Sequence, residues 1–273
     1  MKNQSNRRAL PVKNRLLGAA FIAGVMSLAG NVQATPITVD LSFEGRGLFP
    51  AGSRNTHIRF DNADFDTGSM HVAAGMFGGQ ATNGVNFETS TLYRNEDNVL
   101  AYCVDIVERL LRQSNTYNVN DVAQDLVVDL DGVRRDFGRT LLFLGAANEV
   151  ARRDFAITEG DQNWLNPSAS WMSAAFQVGI WESLYEESGQ ALNVGEGWFT
   201  ATSIGTEGNQ FLTDSFALMG AEVPPTAVAA SRVKWLQIDG GQDLLVDPVD
   251  VPAPAPAALL LLGLSLLLRK RRR

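Results

Sequence analysis

The chain is poor in the side chains on which most catalytic and metal sites depend. Its 273 residues include one cysteine, Cys103, and two histidines, His57 and His71. A single cysteine excludes an intramolecular disulfide, and no histidine or cysteine cluster has the ligand spacing of a zinc site. The sequence also lacks the G-x-S-x-G elbow, the phosphate-binding loop and the H-E-x-x-H motif. We therefore expect no enzymatic activity, no cofactor and no metal.

The sequence also lacks an apolar run of the roughly 20 residues that a membrane-spanning helix needs. A shorter one, residues 16–30, follows an N-terminal segment with five basic and no acidic residues. It ends in Val32-Gln33-Ala34, which places small residues where a signal peptidase reads. This pattern predicts a signal peptide over residues 1–34, cleaved by the secretion signal peptidase between Ala34 and Thr35.

A second short apolar run lies near the C-terminus. Alternating prolines at 252, 254 and 256 predict an extended stalk, and residues 257–268 carry no charge before five consecutive basic residues. As a helix, these 12 residues would measure about 18 Å, which is short of a hydrocarbon core of about 30 Å. The basic end should remain cytoplasmic, so this short hydrophobic helix would hold the body outside the inner membrane.

Acidic residues are absent from both ends of the chain. All 30 of them lie between residues 35 and 250, together with 13 basic residues, so this body has a net charge of −17. A domain so acidic is repelled by nucleic acid, and we expect no nucleic-acid partner.

The proline stalk, the short Leu-rich segment and the terminal arginines together resemble the PEP-CTERM sorting signal of exported Gram-negative proteins. The resemblance covers residues 251–273 and implies a partner, an exosortase-type sorting enzyme, that processes the tail around Val251, Pro252 and Pro254. One departure is Ala253, which stands where the family has a glutamate. The tail, residues 249–273, would anchor the protein in the inner membrane before its transfer to the cell surface or extracellular matrix.

The body, residues 35–248, is predicted to be α+β, a β-rich sandwich or barrel-like domain with a helical insertion. Alternation predicts strands up to about residue 131, and residues 78–79, 83–84 and 95–98 are expected to break them. The predicted strands are 37–43, 70–77, 85–87, 99–106, 117–119 and 126–130.

Helices are predicted between about residues 133 and 220. Apolar residues at three- and four-residue steps predict helices over 133–154 and 210–219. Between them an amphipathic helix would begin at Asn166-Pro167 and end at Gly189. Closing strands over 233–238 and 243–246 complete the body.

Two groups of acidic residues suggest a calcium site and a catalytic carboxylate pair, but neither group has the sequence pattern that would support such a site. Residues 61–68 hold three aspartates, yet the glycine and glutamate of a calcium-binding EF-hand loop are missing, so an acidic surface turn is the better interpretation. Glu182 and Glu186 lie four apart on one predicted helical face, where solvated acids are common.

The remaining feature is a pair of short segments. Tyr102-Cys103-Val104-Asp105 lies on a predicted strand, and Phe176-Gln177-Val178 lies on the second helix, with Gln177 at the edge of its apolar stripe. Both side chains could simply be buried.

These segments resemble the thioester domains of bacterial surface adhesins, in which such a cysteine and glutamine are joined by an internal bond. The likeness covers roughly residues 85–247 and includes a late strand, 242–246. It implies a Cys103–Gln177 thioester that would attach the protein to an amine on a surface or matrix polymer or protein. Phe176 and Gly179 depart from the adhesin motif, which has Thr and Ala there.

The alternative is a non-covalent matrix or glycan-binding module with an inert cysteine. Exposed aromatic side chains would be expected in such a module, and the candidates are Trp164, Trp198 and Trp235, which could equally belong to the core.

Overall fold

The computed structural model describes residues 37–44, 47–60, 68–85, 99–122, 127–130, 133–155, 163–228 and 232–247. These residues form an α+β fold with a six-stranded antiparallel barrel and three helices. The α+β class and the barrel-like sheet predicted from the sequence are thus confirmed. The predicted signal peptide and C-terminal tail, with Ala34, Thr35, Val251, Pro252 and Pro254, lie outside the described residues.

The barrel is closed in the order β1-β4-β5-β11-β10-β6. Its strands are β1 (Thr38–Ser42), β4 (Phe77–Val85), β5 (Val99–Cys103), β6 (Asn115–Asp121), β10 (Lys234–Gln237) and β11 (Leu244–Val246). Alternate residues of β1 are buried, which is the pattern of a strand with one face toward a core. The last two strands of the described residues, β10 and β11, therefore close the barrel against β6 and β5.

Two smaller sheets accompany the barrel. β2 (Arg54–Phe60) is the central strand of a three-stranded antiparallel sheet, with β3 (Ser69–Ala74) and β9 (Phe199–Thr202) on either side. β7 (Val127–Leu130) and β8 (Val133–Asp136) form a separate hairpin. The three-stranded sheet contacts the second helix, so it covers one side of the helical layer.

The helices are α1 (Phe137–Phe155), α2 (Ser170–Tyr185) and α3 (Thr206–Met219), with a short 3-10 turn at Asn163–Leu165. All residues of α2 from Met172 to Tyr185 are buried. The predicted amphipathic character of this helix is therefore wrong. Among the described elements it contacts α1, α3 and the strands β2, β3, β8 and β9.

Several predicted strand limits are also wrong. β4 runs through Gly78, Gly79 and the Asn83-Gly84 pair, which were expected to break strands. A Cβ atom on Gly79 would lie 2.7 Å from the Phe43 ring, so this glycine allows close packing rather than a turn. The predicted strand over 70–77 is interrupted after Ala74, and the strand over 99–106 ends at Cys103.

The helix limits differ as well. Residues 133–136 form β8, and α1 begins only at Phe137. The N-cap of α2 is Ala169 rather than Asn166, and the helix ends at Tyr185, four residues before Gly189. Strands β2 and β9 were not predicted, because their sequences are largely polar or too short to show an alternating pattern.

Candidate functional site

Gln177 and Cys103 are in direct contact. The backbone N–H of Cys103 donates to Oε1 of Gln177 over 2.9 Å, and Nε2 of Gln177 donates to the Cys103 carbonyl over 2.9 Å. Both residues are 1% exposed. Cys103 is the last residue of β5, and Gln177 lies midway along α2. The fold therefore brings the carboxamide against the residue that carries the chain's single thiol.

The residues that precede Cys103 and Gln177 in the sequence, Tyr102 and Phe176, belong to an aromatic cluster in the core. The Tyr102 ring is stacked on Trp164 with centroids 5.8 Å apart, and it also contacts Phe176 at 6.3 Å. Phe176 in turn packs edge-on against Phe211 at 5.2 Å. All four side chains are fully buried. The two residues are thus attached to a part of the core that excludes water, and a hydrolysable acyl bond needs such surroundings.

The two departures from the adhesin motif have a packing explanation. A Cβ atom on Gly179 would lie 2.0 Å from Cζ of Phe143, so the helix accepts only glycine at this position with Phe143 in place. Phe143 also meets Phe176 edge-on, with centroids 6.5 Å apart. Phe176 and Gly179 therefore belong to one packing arrangement with α1, on either side of Gln177.

A buried acidic network lies beyond Cys103, where the chain leaves β5. Oδ2 of Asp105 accepts the backbone N–H of Asp243 over 2.6 Å, and the Asp105 carbonyl accepts Nε2 of Gln242 over 3.0 Å. The Asp243 carboxylate accepts Nε1 of Trp235 and the backbone N–H of Ile238, each over 2.9 Å. These bonds attach the segment after β5 to the connection between β10 and β11.

Burial and the acidic network both act on the thiol. Desolvation, and secondly the charge of Asp105, raise the pKa of Cys103 well above its usual value. Burial likewise raises the pKa of Tyr117, and Cys103, Asp243 and Asp105 add to that rise. The thiol is thus held in its protonated form. Any attack by sulfur needs a neighbouring group to accept the proton, and Asp105 is the acidic residue whose charge acts on the thiol.

A second polar cluster lies one to two turns further along α2. Glu182 is fully buried and accepts the backbone N–H of Asn193 over 2.6 Å. Glu186 is also buried and accepts backbone N–H groups of residues 187, 198 and 199. Arg139 donates to the carbonyls of residues 186, 187 and 190. The interpretation of Glu182 and Glu186 as solvated acids is therefore wrong, since both hold the segment between α2 and β9.

Glu182 is the most perturbed carboxyl of this cluster. Burial raises the pKa of Glu182 to about 8, although the Asn193 N–H opposes the rise. Its second oxygen, Oε2, has no hydrogen-bond partner among the described residues. A neutral carboxylic acid suits such a position better than a carboxylate does.

The three tryptophans proposed as exposed contacts are in different environments. Trp164 is fully buried and Trp235 is 8% exposed, so both belong to the core. Trp198 is 37% exposed and lies at a cavity of about 260 Å³ that Arg139 and Glu186 also line. Only Trp198 is therefore available as a surface contact.

No metal cluster is found within the residues the structure describes, in the sense of three or more His, Cys, Asp or Glu side chains. The acidic segment 61–67 falls outside them. No helix in the described part of the chain is long and apolar enough to cross a membrane. The acidic network and the Glu182 cluster could not be predicted from the sequence, because their partners are mainly backbone groups from other segments.

Comparisons with protein families, with curated proteins and with solved structures find no match to this chain.

Proposed function

We propose that this protein is exported and attaches covalently, through an internal Cys103–Gln177 thioester, to an amine on a cell-surface or matrix component. The observation that carries the proposal is the placement of the buried Gln177 carboxamide on the backbone of the buried Cys103. The proposed protein is an adhesin that reacts once rather than an enzyme that turns over.

Bond formation needs the two side chains and a neighbouring group that carries the thiol proton to the leaving nitrogen. Sγ of Cys103 attacks Cδ of Gln177, the Cδ–Nε2 bond breaks, and the thiol proton leaves with the nitrogen as ammonia. A partner amine later attacks Cδ, the C–S bond breaks and the sulfur regains a proton. The products are an amide at Gln177 and a free thiol at Cys103.

The proposed export and membrane anchoring rest on the two ends of the sequence. The basic and apolar N-terminus supports export, and the proline stalk with its short apolar run and five basic residues supports a temporary membrane anchor that an exosortase-type enzyme would remove. The partners proposed for the body are therefore surface or matrix polymers and proteins outside the cell.

The test is the intact mass of the protein purified without reductant. We expect the wild-type mass to be lower than the sequence mass by one ammonia, and the denatured protein to contain no titratable thiol. Since Cys103 is the single cysteine, the thiol count is zero or one. Methylamine should add to the protein and release one thiol per chain.

Matched variants identify the atoms involved. Cys103→Ala and Gln177→Ala should both show the full sequence mass. Gln242→Ala removes a different buried glutamine near the site and should keep the mass deficit. A wild-type protein with the full sequence mass and one alkylatable thiol would refute the covalent proposal.

A non-covalent binding module is the second candidate function. Both polar ends of the Gln177 amide are already satisfied by the Cys103 backbone, which is a complete structural role that does not need the thiol. Trp198, beside its cavity, would then provide an aromatic contact for a glycan. Matrix binding that survives Cys103→Ala and is lost in Trp198→Ala would favour this candidate.

A further inference from the structure

The outer face of the three-stranded sheet is polar and open. In β3, every second residue from Ser69 to Ala73 is exposed, and the alternate residues are partly buried. The inner side faces α2, which contacts all three strands of the sheet. No helix of the described residues covers the outer face, and the strand register sets which side chains lie on it.

The only two histidines of the chain meet on this face. His57 of β2 and His71 of β3 are direct register partners across the antiparallel pair. Their rings have centroids 4.8 Å apart and are tilted by 45°. His71 is exposed and His57 is partly exposed. Two imidazoles are thus held side by side by backbone pairing, with access from solvent.

This separation suits two ligands of one metal ion. Imidazole nitrogens bind ions such as Zn²⁺ at about 2.0 to 2.1 Å, so two rings on one ion have centroids roughly 4.5 to 5.2 Å apart for right-angled to tetrahedral coordination. The observed 4.8 Å lies inside that interval. Rotation of the rings alone, without movement of the strands, would turn a nitrogen of each toward the ion.

We propose that His57 and His71 form a two-histidine site on the sheet surface for a divalent transition-metal ion. Imidazole pairs favour Cu²⁺ over Ni²⁺ and Zn²⁺, and they do not suit Ca²⁺ or Mg²⁺, which take oxygen ligands. Water fills the remaining coordination positions, and a donor from a second molecule can replace it. The site is independent of Cys103 and Gln177.

One neighbouring residue on the outer face can take part in the metal site. Thr202 of β9 is the register partner of His57 on the other side, and its exposed hydroxyl can hold a bound water.

The test is calorimetric titration of the full chain with CuCl₂, NiCl₂ and ZnCl₂ in a weakly coordinating buffer. We expect Cu²⁺ to bind most tightly, and His57→Ala and His71→Ala each to weaken binding at least about tenfold. Asn55→Ala, an exposed change on the same face, is the matched control and should bind as the wild type does. The Cu²⁺ paramagnetic resonance spectrum should show two nitrogen ligands.

Two further measurements separate this site from other sources of binding. Binding retained in Cys103→Ala supports the histidine pair, and binding lost there overturns it. One ion per chain or one ion shared by two chains both support the site, provided that both histidines are required. Wild-type affinity in either histidine variant, or a single-nitrogen spectrum, would overturn the proposal.

Discussion

Helix α2 and its C-cap residue, Glu186, carry two buried polar regions that differ in the segments they bind. At Gln177, a neutral amide bonds the backbone of Cys103, 74 residues away in the sequence, and so joins the helix to the barrel. At Glu182 and Glu186, two acidic side chains bond the backbone of the segment that follows the helix, with Arg139 beside them. The first region connects distant parts of the fold, and the second holds a local connection.

The difference indicates which region is suited to chemistry. The acidic side chains of the second region are used by backbone donors over short sequence distances, which is a structural task. The Gln177 contact instead places an electrophilic carboxamide against the buried residue that carries the thiol, and both of its hydrogen bonds go to the backbone of Cys103 rather than to Sγ. Three variants test whether this contrast is real.

The largest effect is expected for Cys103→Ser, which is nearly isosteric and keeps both backbone bonds to Gln177. A covalent bond between residues 103 and 177 closes a loop of 74 residues, and loss of such a cross-link lowers the free energy of unfolding by about 4 kcal/mol. Urea denaturation of both proteins gives the difference.

The Cys103→Ser variant can also contradict the contrast between the two polar regions. If it unfolds within about 1 kcal/mol of the wild type, the junction is held by hydrogen bonds alone, as in other buried polar contacts. Ser173→Ala provides a matched scale, because Ser173 is buried on the same helix and accepts the backbone N–H of Met76 over 2.8 Å.

An intermediate effect is expected for Glu182→Gln, and it depends on pH. Because the folded state raises the pKa of Glu182 from 4.5 to about 8, the folded chain keeps a proton that the unfolded chain releases in between. The free energy of unfolding therefore falls as pH rises through this window, by about 1 kcal/mol per pH unit and on the order of 3 kcal/mol between pH 5 and pH 8.

Glutamine has no proton to lose, so the variant should lack this slope and exceed the wild type in stability at pH 8. Glu187→Gln makes the same change of charge at a half-exposed position and controls for net charge. Equal slopes in wild type and Glu182→Gln between pH 5 and pH 8 would show that Glu182 is not the titrating group. Thermal unfolding across pH gives both slopes.

The sequence alone predicts the elements with regular patterns. β1, β6, β10, β11 and the centres of the three helices follow from apolar periodicity, and they are confirmed. β2 was missed because its residues Arg54–Phe60 are mostly polar, and its pairing with β3 and β9 comes from tertiary contacts. From the sequence alone, Gly79 in β4 indicates a strand break, and only the structure shows that it packs against Phe43.

The candidate site shows the same limit. Cys103 and Gln177 were singled out by a resemblance, and no local pattern could show that residues so far apart touch. The histidine pair is 14 residues apart in a hairpin whose register decides whether the rings meet, so spacing alone gave no metal signal. The burial of Glu182 could not be predicted because the sequence indicates a helix with one solvent-exposed face. In the structure, α2 is buried on every side from Met172 to Tyr185.

The smallest effect is expected for Arg139→Lys, which tests how local the second region is. A lysine keeps the charge but cannot donate to the carbonyls of residues 186, 187 and 190 together, so we expect a loss of about 1 kcal/mol in the free energy of unfolding. Hydrogen exchange should accelerate in residues 187–198 and stay unchanged at the amide of Cys103. Faster exchange at Cys103 as well would mean that the two regions of α2 act as one unit, and the contrast between a long-range junction and a local one would fail.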